Sequence, residues 1–312
     1  MLSQLENVHN QKFDFSKIRD GLCLILYGFF LKIVIADRIA VLVDNVFDNY
    51  IGCGFVELAV AAILFAIQIL CDFNGYTIIA QGSAIMLGIK LMDNFRQPYL
   101  ATSIHDFWRR WHISLTSWFT DYLYIPLGGN RKGILSKMIN TMIVFLVSGL
   151  WHGASWHYVV WGGIHGIYQN IGTCINVLKR KFCITDKKMK FSTKILRIFT
   201  TFILADIAWV FFRAADCEIA FKFFQQMFTG YQNISLLALG FQWYDWLIII
   251  ISIIIILCVD ILHEKGIKIR ERIYKEAMWF RWLVYLTAFW IILMFGVYGV
   301  EYDASQFIYF QF

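Results

Sequence analysis

Residues Trp246–Val259 read WLIIIISIIIILCV, and residues Leu283–Val300 read LVYLTAFWIILMFGVYGV. Both runs are apolar almost throughout and, with their flanks, long enough to enter the ~30 Å hydrocarbon core of a bilayer. Because a backbone polar group left unsatisfied in lipid costs several kcal/mol, a helix is the form that such a run adopts there. These two runs predict an all-α membrane protein.

The composition of the whole chain supports the same prediction. Of its 312 residues, 59% are hydrophobic, 18% aromatic and only 16% charged, whereas soluble domains carry about 25% charged residues. The net charge of +6 is therefore interpreted by its position in loops, and no nucleic-acid partner is expected. The cysteines form no CxxC pair, which argues against a metal site or a disulfide framework.

Further apolar segments predict a polytopic bundle. Helices are expected near 20–36, 55–71, 76–92, 138–151, 156–177, 196–213, 243–262 and 280–300, with a broken amphipathic region at 104–127. Without an internal repeat or a long linker, 1–312 is predicted to be one integral-membrane domain, and 1–18 a polar cytoplasmic lead-in. Segments 179–197 and 264–281 are rich in lysine and arginine, so both are predicted to face the cytoplasm.

The sharpest local signal is LWHGASWH, Leu150–His157, at the end of a predicted span. With no charged residue between Lys137 and Lys179, His152 is expected to lie deep in the membrane, where desolvation favours the neutral imidazole that can accept a proton. Trp151 and Trp156 are expected to shield it from water. Two other histidines nearby, His157 and His165, are interpreted as structural.

A second signal is HDFWRRWH, His105–His112. If it forms one helix, His105, Arg109 and His112 share a face, and Asp106 pairs with Arg110 on an adjacent one. Such a face could hold a phosphorylated donor. An interfacial helix with an aromatic belt has the same pattern.

Two glycine-containing segments complete the pattern. LGGNRKG, Leu127–Gly133, predicts a tight turn beside Arg131 and Lys132 that either cradles phosphates or is an ordinary loop. CDFNGYTIIAQG, Cys71–Gly82, places polar residues in an apolar stretch and predicts a helix break beside a cavity. Gly162 and Gly166 predict close helix packing.

Taken together, three segments resemble the membrane-bound O-acyltransferase (MBOAT) family, and its bacterial alginate O-acetyltransferase-like branch in particular. They are CDFNGYTIIAQG, the segment LMDNFRQPYLATSIHDFWRRWHISLTSWFTDYLYIPLGGNRKG and SGLWHGASWHYVVWGGIHG. The resemblance is strong over about residues 15–175. Typical members have further spans before Phe13–Leu22, so the chain is expected to correspond to the C-terminal two-thirds of one. Ile78 replaces a frequent acidic residue, so no role is carried to that position.

The resemblance implies tilted and broken helices around a central tunnel. It implies that His152 is the catalytic residue and that His112 is a second functional histidine toward the cytoplasmic side. Contacts to substrate are expected from the tryptophans and the basic or amide side chains of these motifs: Trp151, Trp111, Arg109, Arg110, Arg131 and Asn130. No metal and no tightly bound cofactor are expected.

The implied reaction is acetyl transfer in the bacterial cytoplasmic (inner) membrane. The donor would be acetyl-CoA or an acyl carrier, and the acceptor a hydroxyl on an extracytoplasmic glycan or an SGNH-type acetyltransferase partner, with membrane lipid around the bundle. Three alternatives stay open at this point: D-alanyl transfer to teichoic acid, a transporter lined by histidines, and a haem protein using a pair such as His105 and His112.

Overall fold

The computed structural model describes Gln4 and residues 13–182, 189–230 and 241–298. All regular secondary structure in these ranges is helical, which confirms the predicted all-α class. Most of the predicted lead-in 1–18 lies outside the described residues.

The helices follow the apolar segments of the sequence within a few residues at most ends. Their bounds are α1 Phe15–Phe29, α2 Asp37–Asp48, α3 Phe55–Met86, α4 Ile104–Arg110, α5 Ile113–Phe119, α6 Ile134–His152, α7 Trp156–Lys181, α8 Phe191–Arg213, α9 Cys217–Thr229, α10 Trp243–Glu264, α11 Ile269–Lys275 and α12 Met278–Phe295. A π-helical segment, Phe30–Ala36, joins α1 to α2, and another, Thr120–Tyr124, follows α5. The sequence did not predict α2, α9 or α11.

Within the described residues, five helices are long and apolar enough to cross a membrane: α3, α6, α8, α10 and α12. Mean hydropathy over their most apolar 18 residues runs from 1.6 to 2.8. The predicted multi-pass membrane character is therefore confirmed.

Two compact units divide the chain. The first comprises Met1–Asp48, Leu64–Asp93 and Ile234–Phe312, and the second comprises Asn49–Ile63 and Asn94–Asn233. The described parts of α4 to α9 all belong to the second unit, which also contains His112 and His152.

In the first unit, glycines bring α1 and α3 into close contact. A Cβ at Gly28 would lie 2.7 Å from the carbonyl oxygen of Gly75, and one at Gly21 would lie 2.6 Å from that of Gly82. Since both distances are far below van der Waals contact, only glycine permits this antiparallel approach.

The helix break predicted at 72–76 is wrong, because α3 runs uninterrupted from Phe55 to Met86. The polar groups that predicted the break have partners inside the protein, so the helix can continue through them. Asp72 lies 2.5 Å from Lys32 Nζ. The Thr77 hydroxyl donates to the carbonyl of Asn74 at 3.0 Å. Gly75, which would weaken an isolated helix by about 1 kcal/mol, is required here by the contact with Gly28.

The π-helical segment Phe30–Ala36 also provides contacts that hold the helices of the first unit together. It places Lys32 Nζ 2.8 Å from Asp37 as well as beside Asp72. The carbonyl of Ile33 accepts from the backbone amide of Val297 at 2.9 Å, past the end of α12. The wider π-helical turn thus places Lys32 in its ion pairs and leaves the Ile33 carbonyl available to accept a hydrogen bond from outside the helix.

In the second unit, the closest helix pair is α6 with α7. A methyl group at Gly162 would collide with the carbonyl oxygen of Phe145, and one at Gly149 would collide with that of Tyr158. A Cβ at Gly166 would lie 2.8 Å from the sulfur of Met142. The close packing predicted for Gly162 and Gly166 is confirmed, and it fixes α7 directly against the helix that ends in His152.

Candidate functional site

His152 is the last residue of α6 and is 6% exposed. The chain turns at Gly153, where a Cβ would overlap the ring of Tyr158, and α7 begins at Trp156. This short connection lets α7 run back along α6. The sequence WHGASW therefore places an imidazole at a buried helix end.

Aromatic rings surround the imidazole of His152. Its ring centroid lies 5.0 Å from that of Trp151, 5.1 Å from that of Trp161 and 5.3 Å from that of Phe212, all three edge to face. The expectation that Trp156 shields this residue is wrong, since Trp156 is 77% exposed. Trp161 of α7 and Phe212 of α8 occupy that place, and Trp151 contacts the ring while remaining exposed.

These rings continue into an aromatic core. Trp161 stacks on Trp209 at 5.7 Å, Trp209 lies 4.9 Å from Trp111, and Trp111 stacks on Phe107 at 5.4 Å. Trp111 is 2% exposed. The structure thus places Trp111 in the packing that holds α4 against α8, and its assignment as a substrate contact stays a prediction.

His112 does not share a helical face with His105 and Arg109, and that prediction is wrong. Helix α4 ends at Arg110, Trp111 is extended, and His112 adopts a left-handed conformation with φ 43°. A non-glycine residue with positive φ costs about 1–3 kcal/mol and persists only where its surroundings hold it. The turn directs His112 into the interior, where it is 8% exposed, whereas His105 and Arg109 remain exposed.

Asn94 holds that left-handed turn. Its backbone carbonyl accepts from the amide of Ile113 at 2.9 Å. Its side-chain oxygen accepts from the amide of Ser114 at 3.1 Å and from the Ser114 hydroxyl at 2.9 Å, and lies 3.2 Å from His112 Nδ1. Asn94 therefore binds the backbone amides of Ile113 and Ser114, and its side-chain oxygen also contacts the side chains of Ser114 and His112.

Electrostatics favour the neutral form of His112. Burial lowers the pKa of His112 to about 4, and a backbone hydrogen bond opposes part of this shift. His112 and His152 are close enough for a charge on one imidazole to act on the other. A second proton in this region is therefore unfavourable.

His165 lies on α7 within the aromatic core. It is fully buried, and its Nδ1 accepts from Trp108 Nε1 at 3.2 Å. Its ring stacks against Phe107 at 6.2 Å and meets Trp161 edge to face at 5.3 Å. These contacts agree with the prediction that it is structural. The other histidine of that prediction, His157, pairs with the Ser155 hydroxyl at 2.9 Å.

Arg109 and Arg110 lie in the last turn of α4. Arg110 Nε donates to Asp106 at 3.0 Å, which confirms the predicted i, i+4 pair. The backbone carbonyl of Arg110 accepts from the amide of Arg96 at 2.9 Å. Arg109 is exposed. Contact of either guanidinium with a donor stays a prediction.

The loop LGGNRKG forms the tight turn that its glycines predicted. Gly128, Gly129 and Gly133 all have positive φ, and Gly129 donates to the carbonyl of Tyr124 at 2.9 Å. Asn130 and Arg131 are exposed at its tip. Donor binding by these two side chains stays a prediction.

Two asparagines of this unit were not identified from the sequence. The buried side chain of Asn140 donates to the carbonyl of Gly129 at 2.9 Å and so fixes the glycine loop to α6. Asn94 belongs to the segment LMDNFRQPYL, from which no role was predicted for it. A lone asparagine in a loop carries no chemical pattern, so only the fold reveals what either one holds.

Comparison with known proteins adds an independent observation. The family described as "MBOAT, membrane-bound O-acyltransferase family" matches residues 1–214. The chain is 39% identical over 236 residues to a peptidoglycan O-acetyltransferase of Helicobacter pylori, a match that covers 76% of this chain and 44% of that relative. It is 35% identical over 233 residues to the probable alginate O-acetylase AlgI of Pseudomonas putida, covering 72% and 44%.

A teichoic acid D-alanyltransferase of Bacillus subtilis is 33% identical over 150 residues, a match that covers 44% of this chain and 36% of that relative. The acetylating relatives thus match more of the chain at higher identity. The matches cover less than half the length of these curated relatives. The resemblance inferred from the three motifs is confirmed.

Proposed function

The chain belongs to the membrane-bound O-acyltransferase family, and from this premise we propose that it transfers an acetyl group to a hydroxyl of an envelope glycan. The donor is acetyl-CoA on the cytoplasmic side of a bacterial inner membrane. The acceptor hydroxyl belongs to an extracytoplasmic polysaccharide, reached directly or through an SGNH-type partner protein. Similarity to proteins named for peptidoglycan and alginate acetylation supports the glycan acceptor.

The observation that carries the proposal is the setting of His152. It ends a membrane span, is buried, and has Trp161 and Phe212 as walls. An imidazole in an apolar enclosure can take a proton only from a partner brought to it, because bulk water has little access. That is what a general base for a dehydrated acyl transfer requires.

In the proposed step, His152 accepts the proton of the acceptor hydroxyl as its oxygen attacks the carbonyl carbon of the acetyl thioester. The carbon–sulfur bond then breaks, the coenzyme A thiolate leaves, and the proton on His152 passes to that sulfur. The products are an acetyl ester and free coenzyme A, and the imidazole returns to its neutral form. General-base assistance of this kind contributes roughly 10²–10⁴-fold to a rate.

The remaining groups position the reactants. His112 lies close enough to act electrostatically on His152 and orients the reacting groups. Arg109, Arg110 and Arg131 hold the donor phosphates, since guanidinium groups bind phosphate oxygens through paired hydrogen bonds. Asn130 and Trp151, both exposed beside these motifs, complete the substrate contacts.

The test uses cells that produce the full chain at equal abundance as wild type or as His152→Ala. Mild alkali releases envelope esters, and mass spectrometry identifies the acid set free. We expect acetate from the wild type and a loss of at least about 100-fold in the variant. Release of D-alanine instead would assign the D-alanyl reaction, and full acetylation by His152→Ala would overturn the mechanism.

A further inference from the structure

We infer that Asn94 holds His112 as the tautomer protonated at Nδ1, so that Nε2 is the nitrogen able to accept a proton during acyl transfer. The part of this inference that concerns the reaction rests on the proposed function. The part that concerns the tautomer rests on hydrogen bonds in the second unit alone.

The donors around Asn94 determine the orientation of its side-chain amide. The two atoms at the end of an asparagine side chain are distinguished by what they contact. The backbone amide of Ser114 can only donate, and it points at Oδ1 at 3.1 Å. That position must therefore be the oxygen, since the amide nitrogen has no lone pair to offer.

The orientation of the Asn94 amide in turn determines which nitrogen of His112 carries the hydrogen. Oδ1 of Asn94 is an acceptor and lies 3.2 Å from His112 Nδ1. Two lone pairs facing each other at that distance would repel, so Nδ1 carries the hydrogen and donates. In a neutral imidazole the other nitrogen, Nε2, then has the lone pair. The pKa of His112, lowered to about 4 by burial, keeps the ring neutral near pH 7.

Ser114 adds to the same preference. Its hydroxyl hydrogen is used in the bond to Asn94 Oδ1 at 2.9 Å, so the Ser114 oxygen presents lone pairs to its other neighbours. That oxygen lies 3.4 Å from His112 Nδ1, where it is a second, weaker acceptor for the same hydrogen. Both polar side chains near Nδ1 thus favour a hydrogen on that atom.

The tautomer decides what His112 can do. With Nε2 as acceptor, a neutral His112 cannot polarise the acetyl carbonyl by donating a hydrogen bond from that nitrogen. It can receive a proton or a hydrogen bond from the acceptor hydroxyl, the leaving thiol or His152. Asn94 is therefore a positioning residue that acts through His112 and does not itself contact the substrates.

Histidine-selective ¹⁵N spectra of the full chain in lipid nanodiscs test the tautomer directly. His112 signals are assigned by their loss in His112→Gln. We expect a protonated Nδ1 and an unprotonated Nε2 in the wild type, the same pattern in Asn94→Asp, and a mixture of tautomers in Asn94→Leu. Asn170→Leu is the matched control, since Asn170 donates to the carbonyl of Met138 and should leave the His112 signals unchanged.

Activity measured on the same samples tests the catalytic half. Asn94→Leu should lower kcat roughly 10–100-fold with little change in KM for acetyl-CoA. Asn94→Asp should recover most of that loss and shift the acidic limb of the pH profile to higher pH, because a carboxylate stabilises the imidazolium. A merely structural role would also be recovered by aspartate, whose oxygen can accept from the amide and hydroxyl of Ser114, but it would not shift the pH profile.

Each failure has its own signature. A wild-type His112 protonated at Nε2 would overturn the inference even if Asn94→Leu failed to fold. The expected tautomer together with undiminished transfer by a folded Asn94→Leu would overturn its catalytic half. Failure of the proposed function is separate, since the wild type would then show the expected spectrum and no acetyl transfer.

Discussion

His165 and His112 are both buried histidines of the same unit, but their surroundings give them opposite properties. His165 lies among rings on α7, and Trp108, which can only donate, occupies its Nδ1. His112 lies at a left-handed turn, and Asn94, through an oxygen that can only accept, occupies the same nitrogen.

The difference shows that burial alone does not make a histidine a base. In His165 the hydrogen must lie on Nε2, which is buried and has no hydrogen-bond partner among the described residues. Its lone pair is already used by Trp108. In His112 the lone pair is on Nε2 and the hydrogen is bound by Asn94. The first arrangement stabilises packing, and the second leaves a proton acceptor.

The largest expected contrast comes from replacing each histidine with glutamine. His112→Gln should lower acetyl transfer by about 100-fold or more, because glutamine cannot accept a proton, with little loss of stability. His165→Gln should lower the thermal midpoint but keep transfer per folded molecule within a few-fold. Comparable activity losses in the two folded variants would break the comparison.

A second prediction concerns the contact that holds α7 in place. Gly162→Val should destabilise the protein by about 1–3 kcal/mol, because the side chain would overlap the Phe145 carbonyl. Gly172→Val on the same helix is the matched control, as a Cβ there meets nothing within 4 Å. Thermal unfolding in detergent, followed by circular dichroism, distinguishes them. Equal midpoints would show that the α6–α7 contact is looser than described.

A smaller effect is expected from Trp108→Phe, which keeps an aromatic side chain but replaces the indole with a smaller ring that has no N–H. Loss of one buried hydrogen bond should cost about 1 kcal/mol. In ¹⁵N spectra, His165 should lose its single tautomer and His112 should keep its own. Acetyl transfer per folded molecule should stay near that of the wild type. An unchanged His165 spectrum would show that Trp108 does not set its tautomer.

The smallest effect is the contribution of His112 to the pH dependence of stability. Its folded pKa is about 4, below the value near ~6.5 of an unfolded histidine. The unfolded chain therefore binds more protons between these values, and stability that is present above pH ~6.5 is lost as pH falls toward 4. His112→Gln should reduce this slope of the thermal midpoint, and an unaltered slope would contradict the assignment.

The helices that the sequence predicts best are those that are apolar throughout. The ends predicted for α6, α8 and α10 lie within a few residues of those observed. Helices are not predicted correctly where a polar side chain has its partner far away along the chain. Lys32 lies 40 positions from Asp72 along the chain, so the sequence alone could not show that α3 continues through this aspartate.

For the site, the WHG and RRWH motifs identified His152 and His112 as candidates, and the structure buries both imidazoles within the second unit. The left-handed turn at His112 was not predicted, since a positive φ is set there by Asn94, 18 residues earlier. The walls of His152 were also missed, because Trp161 and Phe212 belong to other helices and have no signal of their own in the sequence.

The central claim is that His152 carries acetyl transfer, and purified protein tests it most directly. The full chain is reconstituted in proteoliposomes with acetyl-CoA labelled in its acetyl group on one side and a glycan acceptor on the other. We expect label on glycan hydroxyls with wild type and a loss of at least about 100-fold with His152→Ala. Equal transfer by the two proteins, or none by the wild type, would contradict the account.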